Sequence, residues 1–388
     1  MDEGSTMTHQ TYDVDVAICG AGPVGLALAG FLVRRGIAGA RIALIDGKSL
    51  GQAITDPRSI ALSWGSAQLL QEVGAWPLAA TPIHEIHVSR RGQLGRSLMQ
   101  REDHDVPALG YVTRYGELVA ALSNACEQAG VSVMRPARVS GIDETPEGVV
   151  LRLDDGRTVA ASVAVQAEGG VFGAQGDKAH SRDYGQTAVI ARVSASRPLA
   201  HRAFERFTSQ GPLALLPQAG ADGHQYALVW CVRPERAAEL LALDDAAFLA
   251  ALGQAFGARV GSFTRASKRT SYALGLTTDA RATARTVAIG NAAQTLHPVA
   301  GQGLNLGLRD AAVLARLLAQ GDAVDAIARF GAEREQDRGL TVGLTDAMAR
   351  VFAGTGPLQS LLGLSLGALD AVGPARKALA SVMMFGRR

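Results

Sequence analysis

The sequence has few cysteines, few lysines and no strongly charged run. Its three cysteines, Cys19, Cys126 and Cys231, are far apart and form no CxxC pair. They therefore indicate neither a disulfide framework nor a zinc site, and a reducing compartment is the default. The 38 basic and 36 acidic residues give a formal net charge of only +2. Since bulk charge drives much of nucleic-acid binding, we expect no nucleic-acid partner.

The sequence also lacks a convincing membrane span or signal peptide. Residues 16–33 carry no charge, and a run of this length is near the lower limit for a membrane helix. Glycines and Pro23 interrupt the run, and no Lys or Arg precedes it as a signal peptide requires. We therefore expect a cytoplasmic protein.

The 388 residues, of which 47% are hydrophobic, are enough for two domains or for one domain with a large insertion. Periodicity predicts a strand at 14–18, a helix at 24–35 and a strand at 41–45, which together form a βαβ unit. An Asp-Asp-Gly turn at 154–156 predicts a hairpin, and residues 187–232 are typical of an antiparallel sheet. Another strand runs into glycine at 286–293, and a helix follows at 303–319.

This order predicts an α/β fold in which a Rossmann-like nucleotide-binding domain is interrupted by a β-rich domain. We assign residues 12–75, 105–180 and 280–335 to the nucleotide-binding domain. Residues 76–104 and 181–279 form the predicted substrate domain, which contains the antiparallel sheet. The C-terminal region, 336–388, is predicted to be helical.

The first motif with chemical meaning is Gly20-Ala21-Gly22-Pro23-Val24-Gly25, which follows a strand and opens a helix. Gly20 permits the tight turn, Gly22 lets backbone approach a pyrophosphate, and Gly25 lets the helix pack on the strand. Asp46 lies 21 residues after Gly25 at the end of the second strand, where it can accept a ribose hydroxyl. The alternative is a glycine-rich turn with a purely structural role.

Three longer segments carry a family resemblance: IGNAAQTLHPVAGQGLNLGLRDAAVLARLL at 289–318, DPRSIALS at 56–63 and AFERFTSQGPLALLP at 203–217. Together with the glycine motif, they resemble the single-component class A FAD-dependent aromatic monooxygenases. Within that group the chain is most similar to the ubiquinone-biosynthesis hydroxylases, in the branch of 2-octaprenyl-6-methoxyphenol hydroxylase. The resemblance covers residues 14–345 and implies a para-hydroxybenzoate-hydroxylase-like fold.

The resemblance implies FAD as cofactor, NAD(P)H as reductant and O2 as co-substrate. Reduced flavin would react with O2 to give a C4a-hydroperoxide, whose distal oxygen is attacked by an electron-rich phenol. The resemblance places Pro298 beside the reactive flavin carbon. The predicted cofactor-binding residues are Gly20, Gly22, Pro23, Gly25, Asp46, Arg58, Arg114, Glu168, Gly169, Asn291, Gly301, Gln302, Gly303, Leu304 and Asn305.

Several of these assignments leave an alternative open. Arg58 is either an arginine that reaches the FAD phosphates or a solvated loop residue. For Arg114, the sequence supports a contact with flavin and the absence of one equally. Glu168-Gly169 stands where the family has Asp-Gly, and Asn291 stands where related hydroxylases carry Asp. His297 fits a loop-structural role better than proton transfer. No HExxH or CxxC motif is present, so we expect no metal site, and we expect no hydrolase.

The implied substrate is a polyprenylated phenol of ubiquinone biosynthesis, whose ring is hydroxylated. Three alternatives stay open: a hydroxylase of a small soluble phenol, a flavin reductase that inserts no oxygen, and a flavin-binding scaffold of a biosynthetic complex. Because the substrate is very apolar, the protein must meet a membrane or a partner protein of the pathway. The apolar tail at 358–384 fits a helix packed on the core better than an interfacial helix on the inner face of the membrane.

Overall fold

The structure is a computed structural model that describes residues 12–92, 96–168, 181–219, 225–277, 282–294 and 302–334. Its strands are β1 Val14–Cys19, β2 Ile42–Ile45, β3 Ser59–Ser63, β4 Ala80–Ile83, β5 Glu85–Arg90, β6 Arg96–Gln100, β7 Gly110–Arg114, β8 Ser132–Met134, β9 Val139–Glu144, β10 Val149–Leu153, β11 Thr158–Gln166, β12 Ser181–Ala195, β13 Arg202–Phe207, β14 Pro212–Gln218, β15 Gln225–Val232, β16 Phe263–Ala266, β17 Thr270–Thr277 and β18 Thr286–Ala288. Its helices are α1 Pro23–Arg34, α2 Leu50–Ile54, α3 Trp64–Glu72, α4 Tyr115–Gln128, α5 Pro234–Ala242, α6 Asp245–Phe256 and α7 Gln302–Leu318, and residues 323–334 are also helical.

The first sheet has a parallel part in the order β8-β2-β1-β11-β18, and β10 and β9 continue from β11 as antiparallel strands. Val16 of β1 lies opposite Ile42 of β2 and Val163 of β11. One face of this sheet packs against α1, α4 and α7 in the largest apolar cluster. The predicted βαβ unit and the hairpin at 154–156 are therefore confirmed, and the fold is α/β as predicted.

The second sheet has the order β16-β12-β15-β14-β13-β5-β6, with β17 also paired to β12. Its neighbouring strands are antiparallel except for β13 and β5, which are parallel. Helices α5 and α6 cover one face, where Phe248 and Phe256 pack with Phe204 and Trp230. The predicted antiparallel sheet is confirmed, and we call the side opposite α5 and α6 the inner face.

A third, three-stranded sheet, in the order β3-β7-β4, connects the other two and was not predicted. Ile83 of β4 and Val112 of β7 pack against Ala203 on the inner face of the second sheet. Gln218 of β14 also donates a hydrogen bond from its amide to the Ser59 hydroxyl of β3. The third sheet thus joins strands from both predicted domains and fixes the inner face next to the nucleotide-binding side.

Helices α1 and α7 approach each other closely at their N-terminal ends. A Cβ atom on Gly307 would lie 2.7 Å from Cγ2 of Val24 and 3.2 Å from Cα of Gly290. Distances this short exclude a side chain at position 307 unless the helices move apart. The glycine therefore lets α7 begin directly beside α1.

We predict that Gly307→Ala destabilises the protein by about 1–3 kcal/mol, because the added methyl group overpacks the contact with Val24. Gly253→Ala in α6 is the matched control, since nothing lies within 4 Å of its added Cβ. The control should stabilise the protein by about 0.5–1 kcal/mol, as alanine does in an open helix interior. Equal effects in denaturant unfolding would show that the α1–α7 contact is not close.

Candidate active site

The glycine turn after β1 is held between the ends of β2 and β11. Gly20 has a φ of +106°, and its N–H donates to the carbonyl of Ile45 at 2.7 Å. A Cβ on Gly20 would lie 2.8 Å from the backbone of Ala167 and Glu168. A Cβ on Gly25 would lie 1.9 Å from the Gly20 carbonyl oxygen. Both positions therefore require glycine.

Gly22 differs from Gly20 and Gly25, because it leaves the first turn of α1 without a capping side chain. It is the N-cap of α1 with an ordinary φ of −77°, and no side chain caps the helix. The atom nearest to a Cβ at Gly22 would be the Tyr115 hydroxyl oxygen, at 3.2 Å. Since the first backbone N–H groups of a helix lack partners within it, this end suits a phosphate. The residues present therefore fit the pyrophosphate of a dinucleotide.

Two carboxylates flank the turn. Asp46, after β2, accepts hydrogen bonds from the N–H groups of Ala21 at 2.8 Å and Lys48 at 2.7 Å. Glu168 follows β11, and burial, then the charge of Asp46, raise its pKa, whereas Arg138 opposes the shift. Asp46 thus links the end of β2 to the glycine turn, and Glu168 lies close enough to repel it. Both lie at the sheet edge where we expect ribose hydroxyls.

Arg58 is fixed next to this edge. Its guanidinium forms an ion pair with Asp56 at 2.7 Å and lies 4.7 Å from the ring centroid of Tyr115. Burial lowers the pKa of Arg58, but hydrogen bonds and the charge of Asp56 outweigh it, and Tyr115 and Tyr272 add to the net rise. Because the Tyr115 hydroxyl lies beside Gly22, Arg58 is near the predicted phosphate position. Arg114 is the exposed N-cap residue of α4.

The second half of the site lies between β18 and α7. Gly290 has a φ of +58° and begins a short 3-10 turn that presents Asn291. Oδ1 of Asn291 lies 3.5 Å from the place of a Cβ on Gly303 in the first turn of α7. Gln294 is buried, and its Nε2 has no hydrogen-bond partner among the described residues. A polar ligand at the start of α7 would therefore find the Asn291 amide next to it.

The side chain of Asn305 forms hydrogen bonds with other parts of the protein. Its Oδ1 accepts hydrogen bonds from the Ser63 N–H at 2.9 Å and the Ser66 hydroxyl at 2.7 Å. Its Nδ2 donates to the Ala61 carbonyl at 3.3 Å. The side chain therefore ties α7 to β3 and α3. A contact of Asn305 with flavin stays a prediction, and the backbone of Asn305 would make it.

The remaining predicted residues divide into two groups. Pro23 occupies the first position of α1, Gln302 and Gly303 begin α7, and Leu304 packs against the main core. Gly169, His297, Pro298 and Gly301 lie outside the described residues. Within the described ranges, no group of three or more His, Cys, Asp or Glu side chains could bind a metal ion.

Sequence reasoning missed a buried ion pair that positions Asn291. Asp310 is fully buried in α7, and its Oδ1 lies 2.7 Å from Nε of Arg334. Its Oδ2 accepts the N–H of Gly290 at 3.2 Å. The sequence carried a signal, because Asp310 stands four residues after Leu306 and four before Leu314 on the apolar stripe of α7.

We predict that Gly22→Val leaves a folded protein that no longer retains FAD. The backbone at Gly22 is ordinary, and the fold tolerates a side chain there if the Tyr115 hydroxyl, 3.2 Å from the added Cβ, shifts slightly. Valine would, however, block the approach of a pyrophosphate to the helix start. Flavin absorbance per protein and the melting temperature of the apoprotein measure the two effects. A purified variant with full flavin stoichiometry would show that FAD binds elsewhere.

We predict that Asp310→Asn lowers the free energy of unfolding by about 3–5 kcal/mol, because it removes the carboxylate charge from a buried ion pair. Glu333→Gln is the matched control, since it removes the more exposed pair between Glu333, next to Arg334 in the helix at 323–334, and Arg316 of α7. The control should cost at most about 1 kcal/mol. If denaturant unfolding gives similar losses for both variants, the Asp310 pair does not anchor the site.

Comparisons with known proteins agree with this geometry. The FAD binding domain family matches residues 13–334 of the chain. Ubiquinone hydroxylase UbiL of Rhodospirillum rubrum is 34% identical over 383 residues, which span 94% of this chain and 87% of that protein. The 3-demethoxyubiquinol 3-hydroxylase of Escherichia coli K12 is 28% identical over 330 residues, covering 80% of this chain and 81% of that protein.

The fold is also found among solved structures. The crystal structure of p-nitrophenol 4-monooxygenase PnpA from Pseudomonas putida DLL-E4 superimposes with a TM-score of 0.77 at 16% identity. The superposition covers 97% of this chain and 100% of that chain. The chain therefore belongs to the FAD-binding domain family, among the class A flavin hydroxylases of ubiquinone biosynthesis.

Proposed function

We propose that the chain is an FAD-dependent monooxygenase that hydroxylates the aromatic ring of a polyprenylated phenol in ubiquinone biosynthesis. NAD(P)H is the reductant and O2 the co-substrate. The observation that carries the proposal is the convergence of two helix starts, those of α1 and α7, next to a glycine turn and Asn291. The relatives named as ubiquinone hydroxylase and 3-demethoxyubiquinol 3-hydroxylase support the substrate class.

When bound, FAD supplies the redox chemistry and the activation of O2, and the protein supplies binding, orientation and electrostatics. The bare start of α1 at Gly22 would hold the pyrophosphate, with Arg58 nearby as a cation. Asp46 and Glu168 would accept hydrogen bonds from ribose hydroxyls at the ends of β2 and β11.

The start of α7 would serve the flavin ring. Helix N-termini carry a partial positive charge, which stabilises the negative charge of a reduced flavin. Asn291 keeps a hydrogen-bonding amide there without adding the negative charge that an aspartate would bring. The buried pair of Asp310 and Arg334 would hold both parts in place through Gly290.

We further propose that the protein meets its apolar substrate peripherally, at a membrane surface or through another protein of the pathway. No helix in the described ranges is both long and apolar enough to cross a membrane. Co-flotation with vesicles of bacterial phospholipid would support direct contact. Absence of flotation together with turnover of a detergent-dispersed substrate would favour delivery by a partner protein.

The test of the proposed function measures product, NAD(P)H consumption and the source of oxygen together. We expect the FAD-loaded protein to hydroxylate 2-prenylphenol with one NAD(P)H consumed per product and with the new oxygen derived from labelled O2. A simple hydroxybenzoate should give far less product, because it has no apolar chain for the protein to bind.

Three results would contradict the proposal in distinguishable ways. Preferred turnover of hydroxybenzoate would make the protein a hydroxylase of small phenols. Consumption of NAD(P)H without labelled product, for every phenol tried, would indicate a flavoenzyme that inserts no oxygen. A protein that binds FAD but catalyses no reduction would indicate a scaffold.

A further inference from the structure

The inner face of the second sheet carries a row of half-buried side chains that water can reach. The row consists of Glu205 on β13, Ala214 on β14, Val229 on β15 and Ile190 on β12, each directly opposite the next. All four are half-buried, whereas most of their neighbours on this face are buried. With strands about 4.8 Å apart, the row is about 14 Å long. It is an apolar strip with a carboxylate at one end.

This strip faces the nucleotide-binding side of the molecule. Alternate residues of the same strands, such as Phe204, Leu215 and Leu228, pack against α5 and α6, so the row points away from those helices. Tyr272 of β17 lies opposite Ala188 on the inner face, and its phenol group is close enough to Arg58 to raise that residue's pKa. The inner face therefore borders the edge at which Arg58 lies.

Among the residues that the structure describes, Glu205 has no charged or hydrogen-bonding partner. It makes no ion pair and no hydrogen bond with the residues that the structure describes. Its directly opposite neighbours are Ala214 on one side and Val88 on the other, and Ala203 and Phe207 flank it along the strand. Placing an unpaired carboxylate among apolar side chains costs stability, so a structural role does not account for it.

We infer, on the basis of the proposed function, that Glu205 binds the phenol hydroxyl of the substrate and takes its proton. The O–H bond of the phenol breaks, its electron pair stays on the phenol oxygen, and the proton bonds to a carboxylate oxygen of Glu205. The resulting phenolate is richer in electrons at its ortho and para ring carbons, which makes it more reactive toward an electrophilic oxygen. The apolar strip contacts the ring and the start of the prenyl chain.

The surroundings of Glu205 suit it to this task. Burial raises its pKa to about 8, which brings the carboxylate closer to a phenol in basicity than an ordinary glutamate. The other charged or titratable side chains of the described inner face are Arg90, Arg192, Cys231, Arg265 and Tyr272. Desolvation accounts for the shift of Glu205. In turn, burial and then Glu205 raise the pKa of the Cys231 thiol, which stays neutral.

The first test needs no turnover and uses the FAD-loaded protein without reductant. Binding of 2-prenylphenol is compared with binding of its methyl ether, which lacks the hydroxyl proton. We expect the wild-type protein at pH 9 to prefer the phenol by about 10-fold or more, as a charge-assisted hydrogen bond provides. Glu205→Gln should lose most of this preference. No preference in the wild type, or an undiminished one in Glu205→Gln, would overturn the inference.

The second test follows hydroxylation against pH. In the wild type, the rate of product formation should rise with pH through about 8, because the base must be ionised. Glu205→Gln should form product about 100-fold more slowly, without this rise, while flavin reduction by NAD(P)H continues. Glu205→Asp should recover part of the rate. An unchanged rate and pH profile in Glu205→Gln would overturn the inference.

Glu235→Gln is the control, because Glu235 is an exposed glutamate of the same domain, in the first turn of α5. It should match the wild type in both tests. Flavin content and melting temperature show whether Glu205→Gln is folded. If the wild type hydroxylates no phenol but prefers the phenol over its ether through Glu205, the proposed reaction fails while the binding role stands.

Discussion

The close approach of α1 and α7 is the constraint on which the site depends. Gly307 lets α7 begin against Val24 and Gly290, so two helix starts lie at one edge of the parallel sheet. A dinucleotide needs phosphate binding and ring binding at separate but fixed places, and the two helix starts provide one each. A side chain at position 307 would separate them, because it would lie too close to Val24 and Gly290.

Buried polar contacts of α7 keep the two helix starts in place. Asp310 accepts the N–H of Gly290 and pairs with Arg334, while Asn305 ties the same helix to β3 and α3. Such groups are expensive to bury and are retained only when their partners are in place. Asp310 is bonded to the turn before Asn291, and Asn305 is bonded to β3 and α3, which lead to the second sheet. These buried contacts therefore link the predicted cofactor site at the edge of the first sheet with the predicted substrate side.

Local patterns were sufficient to predict the elements that form the cofactor edge. The β1–α1–β2 unit, the β10–β11 hairpin and α7 each follow from apolar periodicity and glycines within a few residues. The β3-β7-β4 sheet was missed because its strands at 59–63, 80–83 and 110–114 pair through tertiary contacts. The same reason hid Glu205, which sits inside a motif used for the family resemblance. Its isolation is visible only when Ala214 and Val88 are placed beside it.

The visible spectrum of the purified protein, recorded before and after anaerobic addition of NADH or NADPH, tests the central claim most directly. The account predicts the absorption bands of oxidised flavin at one FAD per chain, followed by bleaching as the reductant is consumed. A colourless protein that does not take up added FAD would contradict it, because the glycine turn and the two helix starts would then serve another purpose.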